Sequence, residues 1–280
     1  MSTSGMTTAG RVRLWVGDHL VLVLGLLVLV YMFVPIAVVV LMSFNDSSKS
    51  RNLYAFQSFT TDNWTGMCNP DGMCASVVKS IEIGLLATVV AVLLGTLAAF
   101  AMVRHEFRGK SAANIIIFLP MASPEIVMGS SLLALFISSG HSDLLGFRAI
   151  FIAHVMFCLS FVIVTVKARL TGLDSNLEQA AMDLYATEAQ TFWRITFPLV
   201  LPGILGAALL SFSLSFDDFI ITNLNAGQTT TFPMFVYGAA QRGVPMQVNA
   251  IGTIMFLVSI VIVVGGELNN RRKARALAAA

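Results

Sequence analysis

Carboxylates set in long apolar stretches are the residues of this chain whose type and position promise chemistry: Glu82, Glu125, Asp217 and Asp218. A carboxylate at the centre of a membrane-spanning helix costs about 2.5–3.5 kcal/mol on insertion scales, so it faces protein or a wet path rather than lipid. Lys79 precedes Glu82 by three residues, the spacing of a helical ion pair, and Glu82 therefore reads as structural. Glu125 and the Asp217-Asp218 pair have no evident cationic partner in the sequence. Two readings stand for them: they complement a cationic solute crossing the bundle, or they pair with a basic residue on another subunit. Adjacent helical residues point about 100° apart, so only one of the two aspartates aims straight at a central path. Phe216, with Phe212 and Phe219, offers cation–π contact to a cation there, or else packs as core or lipid-facing surface. His154 reads as a packed polar residue rather than a ligand or proton relay. No metal-ligand spacing and no nucleophile–base arrangement is visible. No G-x-x-x-x-G-K-[ST] phosphate loop is present either, so the chain is expected to bind no metal or cofactor and to hydrolyse no ATP itself.

The elements that must position these acids are membrane spans. The 280 residues are 56% hydrophobic and only 11% charged, against about 25% charged in soluble domains. Six stretches reach the ~20 apolar residues that cross a bilayer: 19–42, 77–103, 112–138, 149–167, 199–221 and 247–266. They are continuously apolar, unlike the alternating strands of a membrane barrel. The expected fold is an all-α membrane protein of six transmembrane helices. With the N-terminus inside, the internal segments hold Arg11, Arg13, Arg104, Arg108, Lys110, Lys167, Arg169, Arg194, Arg271, Arg272, Lys273 and Arg275. The external ones hold Lys49, Arg51, Lys79, Arg148 and Arg242. Twelve against five predicts both termini in the cytoplasm. The chain then divides into a cytoplasmic segment 1–18, a transmembrane domain 19–266 and a basic tail 267–280 suited to anionic lipid. The first span reads as an uncleaved signal anchor. A net charge of +2 and the lack of a folded basic domain argue against nucleic acid.

Two loops carry further signals. The external loop 43–76 contains Cys68 and Cys74 around an Asn-Pro-Asp-Gly turn; they form a disulfide in an oxidising exterior or stand as two free thiols. Phe56, Phe59 and Trp64 predict a short helix on the outer surface. In the third span, Pro120 and Pro124 remove helix hydrogen bonds, and such breaks are tolerated where the backbone is buried in protein or lines a cavity. The cytoplasmic loop 168–198 contains the semi-polar stretch Leu177 to Pro202. Ser175 and Glu178 fit a capping box, Thr187 and Gln190 a second cap, with a corner at Tyr185-Ala186 between two short helices and Pro198 ending the second. Exposed Tyr185, Phe192 and Trp193 are costly without cover, so the pair either docks on a soluble partner or packs beneath the bundle.

This stretch resembles the EAA loop of ABC importer permeases, E-A-A-x-x-x-G followed by I-x-L-P. Gln179-Ala180-Ala181 stands at E-A-A behind Glu178, Tyr185 at the glycine, and Ile195-Thr196-Phe197-Pro198 at I-x-L-P. The strings from Leu119 to Glu125, Phe161 to Leu170, Ser213 to Asp218 and Pro245 to Ala250 are similar to the spermidine/putrescine branch. The resemblance implies a type I importer permease (MetI-like) fold in a bacterial inner membrane. It implies a second homologous permease, two copies of a cytoplasmic ABC ATPase that hold ATP and Mg, and an external polyamine-binding protein. Glu178, Gln179, Ala180, Ala181, Asp183, Tyr185, Phe192, Trp193, Ile195 and Pro198 would contact the ATPase, and Glu125, Asp217, Asp218 and Phe216 would line the cation path. An ABC permease for another solute keeps this architecture. A gradient-driven cation carrier has no need of the helix pair and commonly shows inverted repeats, which are not evident here.

Overall fold

A computed structural model describes residues 8–46, 55–174 and 176–278, and these are almost wholly helical, with a single isolated bridge between Asn45 and Phe59. In chain order the helices are α1 (Thr8–Met42), α2 (Asp62–Thr65), α3 (Met73–Arg104), α4 (Lys110–Ala122) and α5 (Glu125–Ser138). They continue with α6 (Phe147–Thr171), α7 (Asn176–Asp183), α8 (Glu188–Thr191), α9 (Phe197–Asp217), α10 (Ile220–Asn225), α11 (Phe232–Arg242) and α12 (Met246–Ala278). Among the described residues five helices are long and apolar enough to cross a membrane, six if the bent pair α4–α5 counts as one broken span.

Two of the six predicted spans differ from continuous helices. The third bends by 104° between α4 and α5. Pro124 has no N–H and forces its predecessor out of the helical region, and Ser123 accordingly sits at φ −79°, ψ 138°. The fifth starts earlier and ends earlier than 199–221: its apolar run is Glu188–Asp217. It stops because Asp218 turns extended, at φ −63°, ψ 124°. Part of the Gly-, Thr- and Asn-rich segment that follows is helical as well, in α11.

The chain forms two compact units, Met1–Asp71 with Ala239–Ala280, and Gly72–Gly238. In the first, α1 lies along α12, with Phe33 edge-on to Phe256 at 6.4 Å. The predicted outer-surface helix is the single turn α2. Beside it Phe44 stacks between Phe59 at 5.3 Å and Trp64 at 5.2 Å, and the buried Asn63 amide donates to the carbonyls of Ser43 and Asn45. Most apolar side chains of α1 from Leu20 to Val34 are exposed, as a lipid-facing helix requires.

The second unit holds the acids and the loop 168–198. Its core is the packing of α3, α6 and α9. Ala91, Ala99, Ala149, Ala153 and Ala207 are wholly buried there, because small residues let membrane helices approach closely. Gly95 marks the tightest point: a Cβ on it would lie 2.6 Å from Val162 Cγ1.

Candidate functional site

Glu125 opens α5 immediately after the break and is exposed. A helix N-terminus stabilises a carboxylate in its first turn. Asp217 is the last residue of α9 and is also exposed. The packing of α5 on α10 brings these two helix breaks together: the Asn225 amide donates to the Gly129 carbonyl at 3.1 Å. Gly129 has no room for a side chain, since a Cβ would meet Leu224 Cδ1 at 2.9 Å and Ile221 Cα at 3.2 Å. Glu125 consequently feels the charges of both Asp218 and Asp217. Among the described residues, neither Glu125 nor Asp217 makes an ion pair.

Asp218 departs from the expectation that it lacks a partner. It is 7% exposed and its Oδ2 accepts from the Thr222 amide and hydroxyl, both at 2.8 Å, and faces His154 Nε2 at 3.3 Å. Its Oδ1 accepts from the Ile221 amide at 3.4 Å, so the carboxylate caps the start of α10. An ionised carboxylate only accepts. That makes His154 Nε2–H the donor, shared with Thr222 Oγ1 at 2.9 Å, while Nδ1 lies 2.7 Å from the Ser215 hydroxyl. His154 is therefore the packed polar residue the sequence suggested. The network pins the α9–α10 break to α6 and leaves Asp217, one residue earlier, as the exposed acid. Replacing His154 with Ala removes one partner of the buried Asp218 carboxylate and the partner of the Ser215 hydroxyl. We expect this to cost about 2–4 kcal/mol, read as a lower melting midpoint of detergent-solubilised protein, with exposed Ser213→Ala as an unaffected control.

The remaining predicted residues fall as follows. Glu82 pairs with Lys79 at 2.8 Å, and the ammonium lies 5.3 Å from the centre of the Phe147 ring. Phe216 is half-buried in a row with Phe212 at 5.9 Å and Phe232 at 6.4 Å. Phe219 lies against Tyr237 at 4.5 Å. Tyr237 is 54% exposed, and nothing in its local sequence signalled it. Cys68 and Cys74 are both disulfide-bonded, whereas Cys158 is free and buried.

At the loop 168–198, α7 is followed by a corner and α8. Ser175 lies outside the described residues, so the first predicted capping box is not described; Glu178 has other partners. It takes a forked contact from Arg104, with Nη1 to Oε2 at 2.6 Å and Nη2 to Oε1, and accepts the Thr196 hydroxyl at 2.6 Å. Burial alone would raise its pKa, but the bonds from Arg104 and Thr196 and the guanidinium charge outweigh it and hold the carboxyl below its ordinary value. The depressed pKa means that the contact is complete at neutral pH. It is lost only as pH falls through that lowered value.

The corner has φ +62° at Tyr185. Ala186 N–H donates to the Ala181 carbonyl at 3.1 Å and Tyr185 N–H to Met182 at 2.9 Å. This is the Schellman ending that glycine ordinarily closes. Tyr185 is 96% exposed, so its side chain offsets none of the left-handed strain within the chain. Tyr185→Gly should relieve about 1 kcal/mol, seen as slower hydrogen exchange of the Tyr185 and Ala186 amides. The second capping box is present in full: Gln190 N–H donates to Thr187 Oγ1 and Thr187 N–H to Gln190 Oε1.

Pro198 does not end the second short helix. A π turn, Phe192–Thr196, carries α8 directly into α9. Pro198 has no N–H to donate back into that turn, and the wider π turn just before it accommodates the proline. Of the residues predicted to meet a partner, Gln179, Ala180, Asp183, Tyr185, Trp193 and Pro198 are exposed. Ala181 is buried, and Glu178, Phe192 and Ile195 are half-buried. Phe192 meets Phe100 of α3 edge-on at 5.5 Å, so it faces inward and Trp193 outward.

Broken spans that bring unpaired carboxylates together, and a polar helix pair running into one span, define the membrane-spanning subunit of a transporter. Residues 91–273 match the family of binding-protein-dependent transport system inner membrane components. The chain is 37% identical over 243 residues to the spermidine/putrescine transport system permease protein PotC of Haemophilus influenzae, covering 86% of this chain and 93% of that protein. It is also 37% identical to the putrescine transport system permease protein PotI of Escherichia coli strain K12, over 84% of each. The chain belongs to the binding-protein-dependent transport system inner membrane component family and is an inner-membrane protein. A subunit of a bacterial alginate ABC transporter, solved with a periplasmic protein bound to an alginate pentasaccharide, has the same fold. It superposes at TM-score 0.65 with 16% identity, over 93% of this chain and 98% of that one. A chain of the inward-facing MetNI methionine ABC transporter superposes at 0.51 with 17% identity, over 74% and 98%.

Proposed function

We propose that this chain is one permease subunit of an ATP-driven importer of polyamines, spermidine or putrescine, and forms half of the translocation path. The observation that carries the reading is the pairing of exposed, unneutralised Glu125 and Asp217 at two adjoining helix breaks, in a chain whose relatives are polyamine permeases. A flexible cation with several ammonium groups complements carboxylates spaced along a path, and Phe216 adds an aromatic face. A second, homologous permease supplies the other half. Two cytoplasmic ATPase subunits, which hold ATP and Mg, dock on the loop around α7 and α8, and an external polyamine-binding protein delivers the solute.

The chain itself turns nucleotide-driven motion into a change of access. From Glu188 to Asp217 the backbone is continuously helical through the π turn, a rod of roughly 45 Å at 1.5 Å per residue. A push on α8 by closing ATPases therefore reaches Asp217 along one unbroken helix, which passes Pro198 and Pro202 on the way. The test is ATP hydrolysis by the reconstituted four-component complex. Binding protein loaded with spermidine or putrescine should stimulate it several-fold, and binding protein without solute should not. Stimulation by an anionic or neutral solute instead would reject the polyamine assignment.

A further inference from the structure

We propose that Arg104, Glu178 and Thr196 form a clamp that delivers movement of the cytoplasmic loop to α3, so that Glu178 positions the loop rather than docking on the ATPase. The proposal rests on the functional reading above. Glu178 would be expected on the docking face, since it stands beside the E-A-A position. The structure instead turns it inward. Both its oxygens are engaged by the Arg104 fork, and one also takes the Thr196 hydroxyl. Its side chain is 18% exposed and that of Arg104 37%.

The geometry ties three elements at one carboxylate. Arg104 is the last residue of α3, Glu178 lies in α7, and Thr196 ends the π turn that leads into α9. A second contact lies one turn back on α3, where Phe100 grips Phe192 at 5.5 Å; residues four apart share a helix face. The Arg104 end of α3 thus holds α7 by charge and the π turn after α8 by an aromatic edge. The covalent route from α8 to α9 moves one helix of the core. The clamp adds α3, the helix that packs most extensively against α6 and α9 and carries the Lys79–Glu82 pair near its other end. A forked guanidinium–carboxylate contact fixes orientation as well as distance, which is what transmission of a tilt demands. The π turn fits the same role, since such turns recur at functional positions in helices.

The test uses the full complex in proteoliposomes and reads solute transported per ATP hydrolysed, together with ATPase recovery on purification. Glu178→Gln and Arg104→Gln should each keep the ATPase bound and lower the transport ratio by about tenfold. Arg104→Lys, which keeps the charge but loses the fork, should fall between these variants and the native chain. The exchanged pair Arg104→Glu with Glu178→Arg should recover most of the ratio. A native ratio in both single variants overturns the clamp. So does loss of the ATPase from Glu178→Gln that the exchanged pair fails to restore, because Glu178 would then be a direct docking residue. A native complex with no ATP-dependent uptake overturns the functional reading itself, a result separable from both.

Discussion

Trp193→Asp should abolish recovery of the cytoplasmic ATPase with the purified complex while leaving the membrane subunit folded. Trp193 is 63% exposed, and in the same loop Leu184 is 81% and Tyr185 96% exposed. Tryptophan and tyrosine dominate the binding energy of protein interfaces, and removing one such anchor costs about 2 kcal/mol or more. Aspartate adds an unpaired charge to the desolvated centre of the interface, a further cost of about 3 kcal/mol. Together these weaken binding by at least about a thousandfold. Phe192, although adjacent, is not an equivalent probe. It is half-buried and meets Phe100 of α3, whereas the ring contacts of Trp193 are with Phe192 and Phe197 beside it in the chain, so Phe192→Asp should damage the fold of the loop itself. An intact complex with Trp193→Asp would place the ATPase on some other surface.

Uptake should respond to the two exposed acids. Glu125→Gln and Asp217→Asn each remove a charged partner for an ammonium group. Charge-assisted hydrogen bonds contribute about 1.5–3 kcal/mol, so each variant should raise the half-saturating polyamine concentration about ten- to a hundredfold, with assembly unaffected. Asp218→Asn should behave differently. Its carboxylate caps α10 and meets His154, so the loss should appear in thermal stability before it appears in apparent affinity. A dose–response curve of labelled spermidine uptake separates the two behaviours. An unchanged half-saturating concentration in both Glu125→Gln and Asp217→Asn would remove these acids from the path.

Much of this arrangement is legible in the residues. Apolar run length places the spans because the bilayer sets helix length, and Thr187 with Gln190 predicts its capping box because the pattern is local. The corner at Tyr185 is legible by comparison with the glycine it replaces. What the residues do not reveal is set by distant partners. Glu178 carries a local capping signal, yet its carboxylate is taken by Arg104, 74 positions away. Asp218 looks unpaired until α6 brings His154 to it from 64 positions away. Pro198 looks like a stop, because a proline rule cannot foresee that a π turn will carry the helix through it. The 104° bend of the third span is half legible: Pro120 and Pro124 announce a disturbance, but only the packing of α5 on α10 fixes its consequence.

The most direct measurement is labelled putrescine and spermidine uptake into proteoliposomes. These would contain the chain, its partner permease and the ATPase, with binding protein outside and nucleotide inside. Uptake should require enclosed ATP and external binding protein and should be indifferent to a proton gradient. Uptake without ATP, driven by that gradient, would contradict an ATP-coupled permease and mark the acids as the ion sites of a secondary carrier.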